Sequence, residues 1–157
     1  MGAEKNNNII DISLAVTNKK RIRIDGDDSR ILEINTSDFG VVSRLRDLYP
    51  KLRELVGKAH ELADDEELED DEAEITKTAN RFDDIDATMR GLIDEIFDSN
   101  VSEVCAPSGT MYDPFNGKFR FEYIIEVLMG LYEENIAKEY KLMEKRITKH
   151  TSKYTGK

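Results

Sequence analysis

Val41, Leu45, Leu48, Leu52, Leu55, Ala59 and Leu62 recur at spacings of four, three, four, three, four and three residues. That alternation keeps one face of an α-helix apolar over three heptads, so the segment folds as a helix with a seam to bury. Two further stretches repeat the pattern. Ile75, Ala79, Phe82, Ile85, Met89, Leu92, Ile93, Ile96 and Phe97 mark a second amphipathic helix, closed by Asp98-Ser99-Asn100. Phe121, Ile124, Ile125, Leu128, Leu131, Tyr132, Ile136, Tyr140, Met143 and Ile147 mark a third, ending near Thr148. Helices of about 25–30 residues span roughly 37–45 Å. A compact domain of this length has a radius of gyration of only about 15 Å. The helices therefore form an elongated bundle or leave apolar stripes for a partner.

The entry to the first helix is signalled by Thr36, Ser37 and Asp38, whose side-chain oxygens suit an N-cap before Phe39. Pro50 interrupts the first seam, removing one backbone donor and crowding the carbonyl of Arg46. A kink is expected there, or a break into two nearly collinear helices.

Ahead of the helices the periodicity is two. Residues 1–8 are polar and are expected to be a disordered tail. Ile9, Ile10, Ile12, Leu14 and Val16 form a β-like run, and Ile22 and Ile24 alternate with Arg21 and Arg23. Ile31, Leu32 and Ile34 complete a third short strand, with turns at residues 17–20 and 25–29. Residues 9–35 are thus expected to be an antiparallel β-meander, whose apolar face needs a cover. The fold class is α+β and mostly α: a short N-terminal meander, then long amphipathic helices packed as a bundle over residues 36–148. Residues 101–118 hold Pro107, Gly109, Pro114 and Gly117 and are expected to be an irregular loop, pinned by Tyr112 and Phe115. Residues 149–157 are expected to be a basic frayed tail. The whole is one structural domain.

Charge is distributed unevenly. The net charge is −10. Residues 64–103 carry 16 acidic and three basic residues, whereas residues 138–157 carry seven basic and two acidic. Within residues 64–74, nine of eleven are acidic, which marks a solvated linker or a docking segment for a basic partner. Phosphates repel such a chain, so nucleic acid is not an expected partner. No apolar run approaches the roughly 20 residues of a membrane span, and no signal-peptide pattern opens the chain. A single cysteine forms no internal disulfide and fits a cytosolic setting.

No catalytic constellation emerges. His60 sits in His60-Glu61-Leu62-Ala63-Asp64, which is not the zinc pattern with two histidines four apart. His150 lies in the tail. Cys105 has no partner in a two-cysteine motif and is expected to be inert. Neither acidic stretch has the ligand spacing of a calcium loop. No glycine belongs to a phosphate-cradling signature, so no cofactor, no metal and no enzymatic activity are expected. The candidate faces for a partner or a second copy are instead apolar: Leu45, Leu52 and Leu55, then Phe121, Ile124, Leu128, Leu131 and Tyr132, with Lys145 and Arg146 at the basic end.

The order of parts carries a resemblance. A β-rich start passes through Ser37 and Asp38 into helices. An acidic helix then carries Leu92-Ile93-Asp94-Glu95-Ile96-Phe97. A Gly/Pro-containing turn follows, from Ser108-Gly109-Thr110 to Phe115-Asn116-Gly117, before a last amphipathic helix with a Lys-rich end. This resembles the small tail assembly chaperones of temperate tailed phages that infect Gram-positive bacteria, in outline over residues 22–140 and most specifically over residues 94–121. The resemblance implies a non-enzymatic, homo-oligomeric protein of the host cytoplasm. Such a protein coats the long helical tape-measure protein until tail-tube subunits polymerise around it, and is lost from the finished particle. Two other readings fit the same helical, acidic character: a structural tail or head-tail adaptor protein, and an acidic inhibitor that mimics nucleic acid.

Overall fold

The computed structural model describes residues 8–15, 19–64 and 71–155, and side chains as far as residue 146. The expected tail at residues 1–7 and most of the acidic linker, residues 65–70, lie outside the described residues.

Strands β1 (Lys20–Arg23) and β2 (Ile31–Ile34) form an antiparallel hairpin, with Ile22 opposite Leu32 and Lys20 opposite Ile34. The turn works because Asp25 and Gly26 both adopt positive φ, 54° and 68°, and Asp27 N donates to Ile24 O at 3.0 Å. Leu32 and Ile34 point into the core and are fully buried. The third expected strand forms as β2, but the first, over residues 9–16, does not form in its described part. Residues 9–15 carry no strand, and Val16 lies outside the described residues. Among the described residues the meander is therefore a two-stranded hairpin, with no paired neighbour on the far side of β1.

Helix α1 (Gly40–Asp64) opens where Asp38 Oδ1 accepts from Gly40 N at 2.9 Å. It runs through Pro50 as one element, so the expected break is absent; Pro50 sits on the exposed side. Helix α2 (Glu72–Phe97) is capped by Asp71, whose side chain accepts from Ala73 N at 3.0 Å. Glu72 and Glu74 occupy its first turn, where the helix dipole favours acids. Asp98, in the left-handed conformation at φ 49°, ends it. Arg44, near the start of α1, donates to Ile96 O near the end of α2 at 2.8 Å, so the two helices run antiparallel.

Helix α4 (Arg120–Thr155) is the longest element, 36 residues. Tyr49 meets Phe121 at 6.0 Å and Phe39 stacks on Tyr140 at 5.7 Å between ring centroids, so α4 runs antiparallel to α1. Phe97 meets Tyr132 at 5.9 Å, tying α4 to α2 as well. Leu52, Met89, Ile93 and Tyr132 form the fully buried centre of this three-helix bundle. The expected frayed tail is a correction: α4 continues to Thr155, about 22 Å beyond Tyr140 at 1.5 Å per residue.

The chain between α2 and α4 corrects the expectation of an irregular loop. It holds a short helix α3 (Val101–Cys105) and a tight hairpin, β3 (Pro114–Phe115) paired with β4 (Lys118–Phe119). Asn116 and Gly117 take positive φ, 51° and 79°, which turns the hairpin in two residues.

Candidate interaction surface

Three arginines wire this connection to the rest of the molecule. Arg90 on α2 pairs with Asp86 at 2.8 Å and donates to the carbonyls of Ser102 (3.2 Å), Ala106 (2.8 Å) and Gly109 (2.9 Å). Arg30 donates to Val104 O and Cys105 O, both at 3.0 Å, and pairs with Asp25 at 2.9 Å. Arg120 donates to Ser108 O. Carboxylates take the matching donors: Asp94 accepts from Ser102 N (2.8 Å) and Oγ (3.0 Å), and Asp86 from Met111 N (2.7 Å). Asp113 accepts from Thr110 N at 3.0 Å and from its hydroxyl. Those bonds, with Arg120 and Arg90 nearby, outweigh partial burial and hold the Asp113 carboxyl below its ordinary range. Gly109 is required here, since at φ 77° a Cβ would lie 2.6 Å from both Arg120 and Asp113.

This rigid connection forms one wall of a hollow of about 310 Å³. Ile22 and Ile24 of the first hairpin form a second wall, and Tyr123, Val127 and Leu131 of α4 form the floor. A smaller hollow of about 250 Å³ adjoins it and shares Ile22 and Leu131. Together they make one groove between β1 and α4, running from Lys20 and Lys138 at one end to Phe115 and Tyr123 at the other. Phe115 packs edge-on against Tyr123 at 4.9 Å and remains partly exposed.

A second apolar surface lies where α4 leaves the bundle. Phe39, Val42, Tyr140 and Met143 are all exposed. Tyr140 and Met143 continue the helical spacing of the core stripe beyond Ile136, which still packs partly buried against the core. Every described α4 position from 140 to 146 is exposed, Lys141, Lys145 and Arg146 among them.

Most of the apolar candidates from the sequence are not free in this chain. Leu52, Phe121, Ile124, Leu128 and Tyr132 are buried in the core, and Leu45, Leu55 and Leu131 are half-buried against it. One α-helix buries one face, and this stripe is used internally over most of its length. Leu131 still borders the groove; Lys145 and Arg146 are exposed as expected. The groove and the overhang were missed. The Asn116-Gly117 pair, a strong hairpin signal, would have located the wall of the first.

Chemistry-bearing side chains take ordinary places. His60 is exposed beside Asp64 at 3.3 Å. Burial pushes the Cys105 thiol up to about 11, so it is protonated at neutral pH. Among the described residues no group of three His, Cys, Asp or Glu side chains is placed to hold a metal, and no helix is long and apolar enough to cross a membrane. Compared with protein-family models, curated proteins and solved structures, the chain matches none.

Proposed function

We propose that this protein is a non-enzymatic phage tail assembly chaperone of the host cytoplasm, which binds the helical tape-measure protein and keeps it from aggregating during tail assembly. One observation supports this most: the apolar stripe of α4 runs off the end of the bundle as an exposed, basic-flanked helix carrying Tyr140 and Met143. A helix with an uncovered apolar stripe suits a client that is itself a long amphipathic helix, by side-by-side packing of seams. The exposed acids of α2, Glu72, Glu74, Asp83, Asp84 and Glu95, would keep a loaded complex dispersed.

The competing reading is a structural tail or head-tail adaptor, which would use the same helical face but stay in the particle. Mass spectrometry of purified particles separates the two. The chaperone assignment predicts that the chain is absent from them; presence in whole-number ratio to the tail-tube subunit would overturn it. An acidic inhibitor would require neither surface, and would survive substitution of Tyr140 and Met143.

A further inference from the structure

The first expected strand of the meander is missing, yet a seat for it exists beside β1. Ile10, Ile12 and Leu14 are 88%, 73% and 82% exposed, and polar Asp11 and Ser13 alternate with them. This is the period-two pattern of a strand with one apolar face. An uncovered run of this kind costs free energy in water and is an unusual feature of a folded chain.

The seat is the groove beside β1. The outer edge of β1 is unpaired among the described residues, because β1 pairs only with β2. Ile22 and Ile24 face the groove, as do Val127 and Leu131 of α4. A strand laid along that edge would hydrogen-bond to the β1 backbone and place every second side chain on this apolar floor. None of residues 8–15 lines either hollow, so this segment does not occupy the groove of its own chain. Charge fits as well. Arg21, at the rim of the second hollow, and Arg23 are exposed and pair with Glu33 and Asp28 at 3.4 and 2.7 Å, and Asp11 of an added strand would join this charged rim.

We infer that residues 9–14 of one copy add as a third strand to the β1 edge of a second copy, with Ile10, Ile12 and Leu14 seated in the β1–α4 groove. Each copy has one such segment and one such groove. Reciprocal exchange therefore closes as a two-fold dimer in which both edges and both apolar faces are covered. A strand of six residues is about 20 Å long, the scale of a groove flanked by a hairpin. The inference is independent of the identity of any client, since the α4 overhang lies outside this groove.

The full-length chain tests it by light scattering after size exclusion and by cross-linking. Wild type is expected at the mass of two chains. The triple variant Ile10→Asp, Ile12→Asp, Leu14→Asp is expected at the mass of one chain with unchanged helical circular dichroism, since these side chains support no intrachain packing. In a Cys105→Ser background, chains carrying Ile12→Cys and size-tagged chains carrying Val127→Cys are mixed and treated with a short bismaleimide. A product joining the two different chains is expected. A wild type of single-chain mass, a dimer unaffected by the triple variant, or coupling only within a chain that carries both cysteines would each overturn the inference, the last by showing that the segment occupies its own groove.

Discussion

Arg90 holds Asp86 at 2.8 Å while its other nitrogens reach the carbonyls of residues 102, 106 and 109. One guanidinium thereby ties the first part of the connection, α3 and the turn after it, to α2. Removing it takes this donor from the Ala106 and Gly109 carbonyls and the cation from Asp86, while Ser102 O keeps Ala106 N and Asp86 keeps Met111 N. Hydrogen bonds to charged groups contribute about 1.5–3 kcal/mol each in isolation but act as one unit here. Arg90→Ala is expected to cost about 2–3 kcal/mol in urea unfolding, and Arg90→Lys, which lacks the planar fork, most of that. An Arg90→Ala protein as stable as wild type would refute the role assigned to this side chain.

The helices were legible in the sequence and the connection was not, for a physical reason. Leu52, Met89 and Ile93 declare themselves through local spacing, because a helix buries residues three or four apart. Arg30 acts on carbonyls 74 and 75 residues away, and such contacts leave no local pattern. The density of Pro and Gly in residues 101–118 suggested irregularity, although Asn116-Gly117 encodes a tight hairpin and Gly109 makes room for Arg120. Residues 9–14 have strand periodicity and no strand in the isolated chain, since a strand needs an edge as well as a pattern.

The last helix separates into a core half and a free half. Leu128 is 3% exposed, so Leu128→Asp buries a charge among apolar side chains and is expected to abolish the cooperative thermal transition. Tyr140→Asp with Met143→Asp removes one half-exposed ring stack, Tyr140 on Phe39, and nothing from the buried core, so it is expected to lower the melting temperature by only a few degrees. Circular dichroism melts of the two variants check this, and an unfolded overhang variant would place Tyr140 and Met143 in the core.

Tyr132 carries a different signature. Its ring is fully buried, its hydroxyl has no hydrogen-bond partner among the described residues, and burial raises its pKa to about 12. Tyr132→Phe removes a desolvated polar atom and keeps the ring packing on Phe97. Stability is expected to hold or rise by about 1 kcal/mol; a loss above that in denaturant titration would show a hydrogen bond to the hydroxyl in solution.

Cys105 sets an alkaline limit. Its thiol ordinarily titrates near 9.0 and in the fold near 11. Between those values the unfolded chain has lost the proton that the folded chain keeps, so this group's contribution to stability falls as pH rises from about 9 to 11. Alkylation of the native protein by iodoacetamide is expected to be slow at pH 8 and to accelerate toward pH 11, with the urea-unfolded chain reacting readily at pH 8–9. Equal rates for folded and unfolded chains at pH 8 would contradict the burial of this sulfur.

Co-expression with a long helical tape-measure protein probes the chaperone assignment most directly, by the fraction of that client left in the supernatant after high-speed centrifugation. Wild-type chain should hold the client in solution and co-elute with it, and the folded Tyr140→Asp, Met143→Asp variant should leave it in the pellet. A client that pellets equally with wild type, or stays in solution equally with the variant, would contradict the assignment.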